Sequence, residues 1–177
     1  MKENIFSSQD VVVLYKELKG VGIDIWLDGG WAVDALLEKQ TRPHEDVDIV
    51  IQEKDIGELR GLLESKGYKD VIRDDTSDWN FVLGDGNGRL VDVHVIVFDD
   101  KGDGIYGPEN NGQMYPADSL TGRGVIDGVE VECISPEHLV KFHSGYELKE
   151  KDYKDIKALC DKYKIKYPKG YEKSKNN

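Results

Sequence analysis

The sequence predicts an α+β protein in which a mixed β-sheet is flanked by helices and followed by a helical C-terminal portion. Three observations lead to this prediction. Apolar residues recur at helical spacing in several segments, β-branched residues alternate with polar ones in others, and the two kinds of segment are interleaved along the chain. With 177 residues, of which 38% are hydrophobic and 33% charged, the chain can build one compact core or at most two small lobes.

The first half of the chain reads as helix, strand, helix, strand, helix and then strands. "SSQDVVVLYKELKGVG" predicts a surface helix with Ser8 as its N-cap, and "IDIWLD" predicts a short strand. A second helix follows Gly29 and Gly30, "DVDIVI" is a strand, and "EKDIGELRGLLESKG" is a helix that ends at Gly67. "YKDVIR" is a further strand, while "WNFVLG", the turn "DGNG" and "RLVDVHVIVF" predict an antiparallel hairpin.

The second half begins with a segment that favours loop structure. Residues 99–118 are rich in Gly, Asp and Asn and include two prolines, so we expect a long loop or lid. A strand pair around "GVIDGVEVECI" follows, then a helix with Ser135 as N-cap and Pro136 at its first position, and a last helix over about 150–163. The predicted division is a core at 1–98, a second region at 99–164, and a mobile Lys-rich tail at 165–177.

The formal net charge of −11 limits the ligands that the chain can bind. It argues against nucleic acid, whose affinity comes largely from Lys and Arg, and favours small cationic partners. The Lys-rich tail is the only support for an RNA substrate, and such a run is usually a solvated end. Two distant cysteines, no signal peptide and no apolar run of membrane-spanning length lead us to expect a cytoplasmic protein without membrane contact.

Two aspartates interrupt the β-branched strand "DVDIVI". Side chains alternate faces along a strand, so Val47 and its apolar neighbours point one way while Asp46 and Asp48 share the other face. Carboxylates this close repel each other and resist burial unless a cation compensates them. A hard divalent cation that prefers oxygen ligands fits this pair, and Mg²⁺ is the ion we expect.

The strand "LVDVHVIVF" follows the same alternation. Its valines form one apolar row, and Asp92 and His94 occupy the other face. If this strand lies beside "DVDIVI", three carboxylates converge in the arrangement of a two-metal phosphoryl-transfer site. His94 could line this site or serve the structure alone, and the sequence leaves both readings open.

The double glycine stands where a strand turns into a helix. Gly29 and Gly30 would allow close approach of the backbone, and the free N–H groups of the helix start could bind a ligand phosphate. Arg42 lies just before Asp46 and is suited to contact phosphate in an acidic protein, with His44 as an additional donor.

At this point the residues resemble a known family. "GGW", then "DVDIV" and a later "VDV" are similar to the signature of the polymerase-β-like nucleotidyltransferases. The blocks "WLDGGWAVDALLEKQTRPHEDVDI", "LVDVHVI" and "CISPEHLVKFHSGYELKEKDYKDIKAL" resemble the small lincosamide nucleotidyltransferases, which are related to aminoglycoside nucleotidyltransferases. The similarity covers most of the chain, and residues 99–130 match least.

The resemblance implies a nucleotidyltransferase fold, ATP or another NTP as donor, Mg²⁺ as cofactor, and the hydroxyl of a cationic antibiotic as acceptor bound on the side of residues 99–164. It implies that Asp46, Asp48 and Asp92 are metal ligands, that Asp92 is also the catalytic base, and that Gly29 and Gly30 contact the triphosphate. It also suggests His143 and Tyr146 as acceptor contacts.

Several alternatives stay open from the sequence. Within enzymes, the acceptor could be an aminoglycoside or another small molecule instead of a lincosamide. In another class, the chain could be a non-catalytic nucleotide or metal sensor, or a toxin-antitoxin module on the same fold. The oligomeric state is also open, a homodimer included.

Overall fold

The computed structural model describes residues 6–108, 112–144 and 147–171. Its α-helices are α1 (Ser8–Gly20), α2 (Gly29–Leu37), α3 (Ile56–Ser65), α4 (Pro136–Phe142) and α5 (Glu150–Tyr163). Its strands are β1 (Ile25–Leu27), β2 (Asp46–Gln52), β3 (Lys69–Val71), β4 (Asn80–Gly84), β5 (Leu90–Phe98), β6 (Gly104–Tyr106), β7 (Met114–Tyr115), β8 (Gly122–Ile126) and β9 (Val129–Cys133).

The strands form one mixed sheet, which confirms the predicted fold class. The order is β3, β4, β5, β2, β1, β9, β8, with β6 paired to β5 and β7 paired to β6. β2 and β5 are parallel, as are β1 and β9, and the other pairs are antiparallel. Because β8 and β9 join the sheet beside β1, the sheet continues across the predicted boundary at residue 98.

The helices bury the apolar stripes that their spacing predicts. α1 buries Val11, Leu14, Tyr15 and Leu18, but its N-cap is Ser7 and not the predicted Ser8. The Ser7 hydroxyl accepts the N–H of Asp10, and the Asp10 carboxylate accepts the N–H of Ser7, so this capping box sets the helix start one residue earlier.

Helix α2 lies at the centre of the structure, packed between β8 and α5. It buries Trp31, Ala32, Ala35 and Leu36, as predicted. Gly124 of β8 lies so close to the backbone of Ala35 that any side chain there would overlap with it. This close packing holds the last turn of α2 against the sheet.

The segment 99–118 was expected to be a long loop, and that expectation is wrong for part of it. The carboxylate of Asp99 accepts the N–H groups of Lys101 and Asp103, which closes a tight turn. The chain then returns along β5 as β6 and continues into β7. Two such short strands, of three and two residues, leave too little alternation to be read from sequence.

The C-terminal helices begin where the sequence predicts, α4 with Pro136 at its first turn and α5 at Glu150. After α5, Tyr171 is buried and its ring stacks on Tyr167 at 4.6 Å between centroids. The remainder of the predicted tail, 172–177, lies outside the described residues. Among the residues that are described, no helix is long and apolar enough to cross a membrane.

Candidate active site

The two acidic strands lie side by side in register. β2 and β5 pair in parallel with Asp48 opposite Asp92. Val47, Ile49, Val91 and Val93 are fully buried, so the alternation turns the aspartates to the other face of the sheet. The structure thus brings together Asp48 and Asp92, 44 positions apart, through the strand pairing on which the sequence analysis had made their convergence conditional.

A candidate cation site lies on this face. Ligand atoms of Asp48, Asp92 and His94 all lie within 4.8 Å of one another. Oδ1 of Asp92 is buried and accepts no hydrogen bond within the described residues, with only His94 Nε2 at 3.5 Å. A buried carboxylate oxygen with a free lone pair fits a hard divalent ion. Asp46 lies two residues before Asp48 on the same strand but is not in this group of three.

Asp28 is a fourth acid at the site, which the sequence analysis did not select. It is 8% exposed and caps α2, where its carboxylate accepts the N–H of Gly29 at 2.8 Å. The Tyr115 hydroxyl donates to the same carboxylate at 2.9 Å. Burial alone would raise the pKa of Asp28, but the interactions with His94, Gly29 and Tyr115 outweigh it and lower that pKa.

His94 lies between two carboxylates. Its Nδ1 is 3.6 Å from Asp28, and its Nε2 is 3.5 Å from Asp92. Burial alone would lower the pKa of His94, but the carboxylates of Asp28, Asp92 and Asp48 raise it to about 10. The structure thus places His94 on the face that carries Asp28, Asp48 and Asp92, and its role in the site stays a prediction.

The surroundings of Asp48 favour its neutral form. Burial, and then the charges of Asp46, Asp28 and Asp92, raise its pKa to about 7 although His94 lowers it. Arg73 donates to the other oxygen of Asp92 at 3.1 Å. Arg73 and the ring of His94 thus contact Asp92, whereas Asp48 has no ion-pair partner among the described residues.

The double glycine is required by close packing at this site. Gly29 has φ of +56°, and a side chain there would overlap with the Asp48 carboxylate. A Cβ on Gly30 would lie 2.5 Å from the His44 ring and 2.8 Å from Nη2 of Arg42. The N-terminus of α2 is therefore held directly against Asp48 on one side and Arg42 on the other.

Arg42 and His44 contact each other. Nη1 of Arg42 donates to Nδ1 of His44 at 2.9 Å, and Nη2 lies 3.5 Å from Asp155 of α5. His44 is 3% exposed, and its Nε2 lies 2.5 Å from the carboxylate of Asp34. Both ring nitrogens of His44 are thus engaged by protein groups.

A cavity of about 700 Å³ opens beside the acidic cluster. Asp28, Asp48 and His94 line it, and Tyr106, Tyr115, Phe142 and His143 are among its other lining residues. The rings of Tyr115 and Phe142 meet edge to face at 5.5 Å between centroids. His143 therefore lines the same cavity as the acids, whereas Tyr146 lies outside the described residues.

These features define the class of the protein. The mixed sheet, the facing aspartates Asp48 and Asp92, and the glycine-initiated helix are those of a nucleotidyltransferase fold, and solved structures agree. The crystal structure of the lincosamide antibiotic adenylyltransferase LnuA, lincomycin-bound, matches with a TM-score of 0.77 and 30% identity, covering 88% of this chain and 98% of that one. ANT(2'')-Ia in complex with adenylyl-2''-tobramycin shares the fold, with a TM-score of 0.68 and 23% identity over 89% of this chain and 90% of that one.

Sequence comparison then gives the family. The profile of the aminoglycoside-2''-adenylyltransferase family matches residues 10–159, and the chain belongs to that family. A lincosamide resistance protein of Staphylococcus haemolyticus is 32% identical over 90% of this chain and 98% of its own length. A 2''-aminoglycoside nucleotidyltransferase of Escherichia coli is 29% identical over 67% of this chain and 62% of its own length. The prediction of a nucleotidyltransferase is confirmed.

Proposed function

We propose that the chain transfers a nucleoside monophosphate, AMP, from ATP to a hydroxyl of a lincosamide antibiotic and releases pyrophosphate. The observation that carries this proposal is the in-register pair of Asp48 and Asp92, with Asp48 directly against the N-terminus of α2. The similarity to LnuA over 98% of that chain supports a lincosamide as the acceptor.

The carboxylates of Asp46, Asp48 and Asp92 would hold Mg²⁺, with two ions as the expected number. When bound, Mg²⁺ supplies positive charge opposite the charge that develops on the transferred phosphate. The raised pKa of Asp48 and the unfilled oxygen of Asp92 support this assignment, because both indicate missing positive charge.

The donor triphosphate would bind at the N-terminus of α2. The absence of side chains at Gly29 and Gly30 leaves room for it, the Gly29 N–H would exchange its present acceptor Asp28 for a phosphate oxygen, and Arg42 lies beside Gly30. Because the chain carries a net charge of −11, this local concentration of donors is what makes an anionic ligand acceptable.

Asp92 would act as the base. It takes the proton of the acceptor hydroxyl while that oxygen forms a bond to the α-phosphorus and the bond from the α-phosphorus to the pyrophosphate oxygen breaks. For this step Arg73 must leave Oδ2 of Asp92, which is feasible because the Arg73 side chain is 38% exposed. The ring of His94 on the other side keeps the carboxylate oriented.

The acceptor would occupy the cavity of about 700 Å³. The carboxylates of Asp28 and Asp48 that line it favour a protonated amine, and the rings of Tyr106, Tyr115 and Phe142 offer apolar surface to a sugar or alkyl group. His143 lines this cavity and would contact the acceptor, and Tyr146 remains a predicted contact from the sequence.

The test is pyrophosphate release by the purified protein with Mg-ATP and a panel of lincosamides and aminoglycosides. We expect release with lincosamides. Asp48→Asn should abolish it, while Asp24→Asn, which changes an exposed carboxylate away from the cavity, should not. Pyrophosphate release with aminoglycosides alone would show that an aminoglycoside, and not a lincosamide, is the acceptor. ATP binding without pyrophosphate release in any mixture would favour a non-catalytic nucleotide sensor.

A further inference from the structure

A line of side-chain contacts runs from the middle of α2 to Arg42. Asp34 and His44 are both almost fully buried, and Oδ2 of Asp34 lies 2.5 Å from Nε2 of His44. Nδ1 of His44 lies 2.9 Å from Nη1 of Arg42. Arg42 itself reaches the edge of a second cavity, of about 870 Å³, between α2 and α5, and its side chain is 30% exposed.

The chemistry of Arg42 determines where the proton of His44 sits. A guanidinium is always charged at physiological pH and only donates hydrogen bonds. Nδ1 of His44 must therefore accept, which places the single ring proton of the neutral imidazole on Nε2. That Nε2–H donates to Asp34, whose carboxylate only accepts.

Asp34 is held rigidly enough to impose this arrangement. Its second oxygen accepts the backbone N–H of Thr41 at 3.0 Å and the Thr41 hydroxyl at 2.6 Å. Asp34 also lies four residues after Gly30, so it is on the same face of α2 as the position where Gly30 packs against His44 and Arg42. One helix thus carries both the start of the phosphate site and the carboxylate that orients His44.

Arg42 keeps unused hydrogen-bonding capacity in this arrangement. A guanidinium has five N–H donors, and the described contacts are one to His44 and one at 3.5 Å to Asp155. Its Nε is buried and has no hydrogen-bond partner among the described residues. Because His44 is a neutral acceptor, it fixes the direction of the guanidinium without neutralising its charge.

We propose that Asp34 is a positioning residue for the nucleotide donor: it fixes the proton of His44 on Nε2, and His44 then holds Arg42 in the orientation that binds the donor phosphates. This inference rests on the proposed contact between Arg42 and the donor. It gives His44 a role through Arg42 in place of the direct nucleotide contact that the sequence suggested.

The substitution Asp34→Asn tests the proposal because it reverses one hydrogen bond. The amide oxygen of Asn can still accept from Thr41, but its NH₂ group then faces Nε2 of His44 and turns that nitrogen into an acceptor. The ring proton moves to Nδ1, where it opposes an N–H of Arg42. Arg42 loses its fixed acceptor, and we expect the KM for ATP to rise about tenfold to a hundredfold, as for a lost charged hydrogen bond.

The kinetic pattern separates positioning from general damage. An interaction made equally in the ground state and the transition state changes KM, so kcat at saturating ATP and the KM for lincomycin should stay near the wild-type values. His44→Gln should keep the KM for ATP low, because its side chain can accept from Arg42 and donate to Asp34. Asp152→Asn, at another buried capping carboxylate on α5, should lower the melting temperature without raising the KM for ATP.

The second readout is the ¹⁵N NMR spectrum of the His44 side chain, which reports the protonated nitrogen without any turnover. We expect Nε2–H in the wild type and Nδ1–H in Asp34→Asn. A wild-type proton on Nδ1 would overturn the proposal, and so would an Asp34→Asn variant with unchanged KM for ATP in an enzyme that turns over normally. Absence of turnover by a wild-type protein that binds ATP and keeps Nε2–H would instead refute only the proposed acceptor.

Discussion

Asp48→Asn should stabilise the protein when no metal is present. In the folded protein the pKa of Asp48 is about 7, against 3.8 for an ordinary aspartate, so ionised Asp48 disfavours the folded state. The penalty is absent below pH 3.8, grows between pH 3.8 and 7, and is complete above pH 7. At about 1.4 kcal/mol per pKa unit it reaches at most about 4 kcal/mol, and less because part of the side chain meets solvent.

The assay is urea unfolding of wild type and variant, followed by circular dichroism, at pH 4 and pH 8 in EDTA and then in Mg²⁺. In EDTA at pH 8 the variant should have the larger free energy of unfolding, and at pH 4 the two should be close. Mg²⁺ at a hundred times its Kd should stabilise the wild type by about 2.7 kcal/mol and the variant much less.

The control for this experiment is Asp24→Asn, which removes an exposed carboxylate and should change neither comparison by more than about 0.5 kcal/mol. An Asp48→Asn protein that is less stable than wild type in EDTA at pH 8, or that gains as much from Mg²⁺, would refute the reasoning about the acidic cluster.

Three further substitutions probe the surroundings of the acids. Gly29→Ala should lower the free energy of unfolding by roughly 1–3 kcal/mol, because φ is +56° and the methyl group would overlap with Asp48; a melting temperature equal to wild type would contradict this. Arg73→Ala should tighten Mn²⁺ binding in calorimetry about twofold to fivefold, since Arg73 competes for Asp92 in a half-exposed ion pair, and weaker binding would show that it assists the metal instead. Tyr115→Phe removes the hydroxyl that donates to the buried carboxylate of Asp28 and should lower the free energy of urea unfolding by about 1–3 kcal/mol. A free energy of unfolding equal to that of the wild type would contradict a structural role for this hydrogen bond.

The strand alternation explains why the shared face of the acidic residues could be predicted. Asp46, Asp48 and Asp92 stand in β-branched runs where every second residue is apolar, so their shared face follows from the period of a strand. The pairing of β2 with β5 in this register depends on tertiary structure. From the sequence, the convergence of the carboxylates could therefore be stated only on the condition that these strands are neighbours.

The residues that the sequence analysis missed depend on contacts between distant segments. Asp28 had a local signal, because an aspartate directly before a helix start is a common N-cap. Asp34 is buried in α2 and contacts His44. Helical spacing alone does not show which residue a buried aspartate contacts. Tyr115 lies in the two-residue strand β7, whose position depends on pairing with β6.

The measurement that tests the central claim most directly is the mass of the product formed from lincomycin and Mg-ATP. With wild-type protein we expect lincomycin to gain the mass of one adenylyl group, which is AMP less one water, as one pyrophosphate is released, and with a folded Asp92→Asn variant we expect neither. Unmodified lincomycin with the wild type, or an adenylated product with Asp92→Asn at a similar rate, would contradict the assignment of this site.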